Sequence, residues 1–136
     1  MWIVGRVLGI LTAVLYGAAI LNFFIKWANK KWVMKLPKEN AFRSAYQSVM
    51  KYLVKNHRFF GLGAAVVMVA HVIVQILFMR WVSVTGIVTA GFAVIAIILG
   101  VIMFKAKKRT PAMLWAHRSA VIALTLSFLV HVITRI

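Results

Sequence analysis

The chain has 136 residues, 64% of them hydrophobic, no cysteine, one acidic residue and a formal net charge of +16. A mean hydropathy of +0.96 leaves too little polar surface to cover a water-soluble domain, so the sequence reads as that of a membrane protein. The lack of cysteine excludes disulfide frameworks, thiolate metal sites and cysteine nucleophiles, and Glu39 standing alone excludes paired-carboxylate catalysis and carboxylate proton relays.

Four apolar stretches, about 3–26, 57–79, 83–104 and 111–134, each approach the ~20 residues that cross hydrocarbon as a helix. The first has only Arg6 as a basic start and exceeds the length of a leader's apolar region, so it counts as a retained span. In the connection that follows, Pro37 marks a break. Beyond it Phe42, Tyr46, Val49 and Leu53 recur at helical spacing against Arg43, Gln47, Lys51 and Lys55. That pattern predicts a basic amphipathic helix over about 38–55 at the membrane surface, able to run directly into the second span.

Met79-Arg80-Trp81-Val82-Ser83 forms a tight turn before the third span, with Ser83 placed to cap it. Thr110-Pro111 reads as an N-cap followed by proline at the first helical position, which starts the fourth. The expected fold is an all-α integral membrane protein, a four-helix up-and-down transmembrane bundle with a cytoplasmic amphipathic interfacial helix, forming a single membrane domain over 1–136.

The charges fall mostly on one side of this arrangement. Nine lysines and arginines lie from Lys26 to Arg58 and five from Lys105 to Arg118, whereas Arg6, Arg80 and Arg135 fall on the other side. By the positive-inside rule both basic connections are cytoplasmic and both termini outside, in a cell or energy-transducing membrane. Trp27, Trp32 and Trp115 fall at the inner edge and Trp2 and Trp81 at the outer one, as headgroup-level aromatic residues should. The basicity is therefore mainly topological. Its expected counter-charge is anionic membrane lipid, with no nucleic-acid partner.

Four histidines are the only ones in the chain, and they are patterned. His57-Arg58 is followed fourteen residues later by His71-Val72-Ile73, and sixty positions on His117-Arg118 and His131-Val132-Ile133 repeat the arrangement. Fourteen residues turn a helix through roughly 1400°, close to four full turns, and rise roughly 21 Å. Each pair therefore faces one side at two depths. In an up-and-down bundle the second and fourth helices run the same way, so His57 comes level with His117 near the cytoplasm and His71 with His131 nearer the outside. Tolerated polar residues bonding to neighbouring helices are the bland alternative, but four ionisable groups at matched spacing within spans mark function more often than chance.

Two imidazoles per level are too few for zinc or copper without a cysteine or carboxylate, and the ~21 Å between levels prevents pooling. Met68, one turn before His71, reads as packing. A haem fits directly, because the porphyrin supplies four nitrogens and two facing histidines complete the iron. Gly61, Ala64, Met68, Ala120 and Ser127 on the histidine faces leave room for a macrocycle. Arg58 and Arg118 beside the inner histidines, and Arg80 and Arg135 with Arg6 at the outer level, are candidate partners for propionates, as are Gln75 and Thr134. Snorkelling to the interface is the competing role for these arginines.

His-x13-His on two parallel transmembrane helices resembles the core of dihaem b-type cytochromes, as in the cytochrome b subunit of quinol:cytochrome c oxidoreductases and in ferric-reductase-like transmembrane domains. The resemblance covers the four histidines, Arg58, Arg118 and the four-helix core. It implies two haem b groups, one held by His57 and His117 and the other by His71 and His131, passing electrons across the bilayer. The additional helices and quinone-site motifs of the larger subunits have no counterpart in these residues, nor does a Gly-rich nucleotide fingerprint.

The expected function is a membrane electron-transfer cytochrome b, a subunit of a larger oxidoreductase complex or a homo-oligomer. Membrane quinone or redox proteins would be its partners. Two alternatives stand beside it. One is a haem-free structural or anchor subunit. The other is a quinone- or metal-reducing membrane oxidoreductase, for which Asn22, Gln75 and the outer arginines are the available polar material.

Overall fold

A computed structural model describes residues 2–79 and 82–134. It is all-helical, with four long helices: α1 (Trp2–Lys31), α2 (Ala41–Val74), α3 (Val84–Lys105) and α4 (Pro111–Ile133). All four are long and apolar enough to cross a membrane, so the protein is an integral membrane protein with four candidate transmembrane helices. A single 3-10 turn, Val33–Lys35, follows α1, and a π-helical segment, Gln75–Met79, ends α2.

Caps define the starts. The Ser83 side chain accepts from the Gly86 N–H at 3.0 Å and opens α3. Thr110 accepts from the Met113 N–H at 3.3 Å, with Pro111 at the first position of α4, where its missing N–H costs nothing. Asn40 Oδ1 accepts from the Arg43 N–H at 3.2 Å, just before α2.

Residues from Ala41 onward are helical and form the first turns of the 34-residue α2, which runs without interruption to Val74, so the segment expected over 38–55 continues directly into the second span. The physical reason is that nothing between Ala41 and Val74 breaks a helix: Pro37 lies before the cap, and the chain holds no proline from there to Pro111. At ~1.5 Å per residue α2 is roughly 51 Å long and α1 roughly 45 Å, well beyond the ~30 Å hydrocarbon thickness, while α3 and α4 match it.

The chain divides into two compact units, Met1–Gly5 with Met68–Ile136, and Arg6–Val67. In the first, α3 packs along α4. Thr89, Ala93 and Ala96 are buried on α3, and Ala120 and Leu124 on α4. In the second, Ala19, Ile25, Val33 and Ala64 are buried, and the Tyr46 hydroxyl donates to the Ile25 carbonyl at 2.9 Å. The Arg43 guanidinium donates to the Leu36 carbonyl at 2.6 Å and closes the connection into α2.

The buried positions are mostly small, whereas Ile3, Val84 and Ile133 are 70%, 76% and 72% exposed. Lipid solvates large apolar side chains as well as protein does. Helix contact therefore selects small residues that let backbones approach.

Candidate functional site

The four histidines are half-buried, and each ring has a defined partner at Nδ1. His57 Nδ1 lies 3.0 Å from the Ala19 carbonyl and His71 Nδ1 2.9 Å from the Gly5 carbonyl, both on α1. His117 Nδ1 lies 3.1 Å from the Ala96 carbonyl on α3. His131 meets side chains instead, with Nδ1 3.2 Å from Thr85 Oγ1 and 3.5 Å from Ser83 Oγ.

A carbonyl oxygen only accepts, so the ring nitrogen facing it must carry the hydrogen. His57, His71 and His117 are therefore Nδ1–H imidazoles, with the Nε2 lone pair directed away from the helix that holds the ring. Metal-ligating histidines make the same bond through the ring nitrogen that does not hold the metal. The acceptor residues suit the task. Each helical carbonyl already takes an i+4 amide, and its second lone pair can be reached from the side because glycine or alanine presents no bulk there.

The same interval governs both sides of these contacts. Gly5 and Ala19 are fourteen residues apart on α1, as His71 and His57 are on α2. On α3, Gly86 and Gly100 are also fourteen apart and lie against the histidines of α4. A β carbon on Gly86 would stand 3.2 Å from His131 Cε1, and one on Gly100 would stand 3.4 Å from His117 Cε1. Sequence reasoning passed over these residues, although the repeated interval was visible in α1 and α3 as well as in the histidines.

The other candidate residues divide. Arg58 and Arg118 are exposed and stack on neighbouring aromatic rings, Arg58 Cζ 4.8 Å from the Phe59 centroid and Arg118 Cζ 5.9 Å from that of Trp115. Arg6 is exposed on α1. Arg80 and Arg135 lie outside the described residues. Gln75 is half-buried in the π-helical segment, and its Nε2 would be 3.5 Å from a β carbon on Gly5, the residue that anchors His71. Thr134 turns its hydroxyl onto its own helix, donating to the Val130 and His131 carbonyls at 2.9 and 3.1 Å. On α1, Asn22 and Asn29 each bury a side-chain oxygen that has no hydrogen-bond partner.

The donor set fits a haem better than a bare ion. Among the described residues no group of three or more His, Cys, Asp or Glu side chains could hold a metal. Imidazoles held through Nδ1 instead present single Nε2 donors, the ligand type that a macrocycle with its own four nitrogens requires. One turn along α2 from His57, a β carbon on Gly61 would meet no described atom within 4 Å beyond its chain neighbours and its own helix backbone, which leaves that flank open to a flat ring. Comparison with known protein families, with characterised proteins and with solved structures finds no match to this chain.

Proposed function

We propose that this four-helix membrane protein is an electron-transfer cytochrome b with two bis-histidine b haems, His71 and His131 serving the outer and His57 and His117 the inner. The observation that carries the reading is the anchoring of three imidazoles by backbone carbonyls, at 2.9 to 3.1 Å, which directs Nε2 lone pairs at matched intervals. The pairing of levels rests on the fourteen-residue register of the sequence in an up-and-down bundle. Bound haem would supply an iron that takes up and releases one electron at a time.

The chain's own residues do the rest. The Nδ1 bonds set ring orientation and donor strength, and Gly86 lets the His131 imidazole lie close against α3. The apolar helices exclude water around both levels. Arg58, Arg118 and Gln75, with Arg80 and Arg135, supply donors for propionates. The nine and five cations of the two basic connections orient these on the cytoplasmic side, with both termini outside. Quinone or a peripheral redox protein would deliver and remove electrons, with the chain acting as a subunit or homo-oligomer.

Oxidised and dithionite-reduced spectra of the purified chain, with a pyridine haemochrome assay, test this. Two b-type haems per chain are expected, and His71→Leu should remove one and spare the other. A chain without b-type bands would overturn the reading in favour of a haem-free anchor.

A further inference from the structure

Three of the four histidines lean on a carbonyl and His131 leans on hydroxyls. The hydrogen accounting around it is specific. Ser83 Oγ accepts from the Gly86 N–H at 3.0 Å and from the Thr85 hydroxyl at 3.4 Å, which engages both of its lone pairs. Its 3.5 Å approach to His131 Nδ1 is longer than the 2.9 to 3.1 Å at which the three carbonyls meet their rings. Thr85 Oγ1 has given its hydrogen to Ser83 and keeps its lone pairs, at 3.2 Å from His131 Nδ1. With Nε2 reserved for iron, Nδ1 carries the hydrogen, and donation then runs from His131 Nδ1–H to Thr85 and from Thr85 O–H to Ser83, with Ser83 held in place by its capping bond to α3.

We propose that Thr85 is a tuning residue: by offering His131 a hydroxyl where the other three histidines have a carbonyl, it makes His131 the weakest axial donor of the four. This rests on the haem reading above. An amide carbonyl is a better acceptor than an alcohol oxygen, and it draws more strongly on Nδ1–H, making Nε2 more basic. A more basic axial nitrogen stabilises ferric iron and lowers the potential. The distances agree, at 2.9, 3.0 and 3.1 Å to the carbonyls against 3.2 and 3.5 Å to the hydroxyls. The outer pair is consequently asymmetric, with His71 a strong donor and His131 a weak one, and the outer haem accepts an electron more readily than two carbonyl-backed ligands would allow.

Potentiometric titration of the two-haem protein tests this, with the component absent from His71→Leu identified as the outer haem. Thr85→Val removes the acceptor and should favour outer-haem reduction by about fivefold, about 40 mV upward at 59 mV per tenfold for one electron. Thr85→Asn restores an amide oxygen and should shift it the other way. Thr85→Ser should leave it at the parent value, and the inner haem should be unmoved throughout. Shifts of the same sign in the valine and asparagine variants, or no shift in either, would overturn the tuning role while leaving the haem reading intact. Absence of b-type bands in the parent chain would overturn both. The paired opposite signs separate donor tuning from packing, which has no reason to follow acceptor strength.

Discussion

The two glycines that face the histidines of α4 should respond differently to the same substitution. A β carbon at Gly86 would sit 2.9 Å from Ser83 Oγ and 3.2 Å from His131 Cε1, whereas one at Gly100 would sit 3.4 Å from His117 Cε1 and 3.8 Å from its Nδ1. Alanine in place of glycine inside a helix gains about 1 kcal/mol at either position. At Gly100 the added methyl meets ordinary van der Waals contact, so Gly100→Ala should be neutral or slightly stabilising.

At Gly86 the methyl must displace both the capping hydroxyl and the ring. Overpacking costs about 1–3 kcal/mol, and losing the Ser83 cap about 1 kcal/mol more. Gly86→Ala should therefore be destabilised by about 1–3 kcal/mol net. Unfolding by dodecyl sulfate in mixed micelles, followed by far-UV circular dichroism, measures the difference. Equal midpoints for the two variants would refute the close approach of His131 to α3.

Tyr46→Phe deletes the bond to the Ile25 carbonyl and should cost about 1 kcal/mol in the same titration, with no change in helix content. Thr110→Ala removes the cap of α4 and should cost about 0.5–2 kcal/mol, rescued by Thr110→Ser or Thr110→Asp. His117→Leu should halve the haem content and leave the titration component that His71→Leu abolishes; loss of both haems from a variant that still folds would contradict independent sites.

Four spans are legible in the sequence because lipid imposes a length and an apolarity that composition alone reveals. Ser83 and Thr110 are legible as caps for a similar reason, since each is a short polar side chain standing where an apolar run begins. The fate of residues 41–55 is harder to read, because an amphipathic pattern is the same whether the helix ends at the surface or continues. Only the absence of a breaker before Val74 decides it, and glycines at 61 and 63 look like breakers on paper. The histidines are conspicuous by type and interval, but their partners are not. Three of those partners are backbone oxygens, which every residue carries and no letter marks, at positions distinguished only by small size. Thr85 reads as one more hydroxyl at a helix start until the hydrogen bonds around it are traced.

The choice of acceptor also bears on how the protein can vary over generations. A carbonyl cannot be deleted by exchanging a side chain, so the settings of His57, His71 and His117 are shielded from most single substitutions at Ala19, Gly5 and Ala96 unless the newcomer is too large to fit. His131 is held by an exchangeable group. Among the described residues, position 85 is thus where one codon change can reset a histidine's partner without rebuilding a helix, a dial on a mechanism otherwise cast into the main chain.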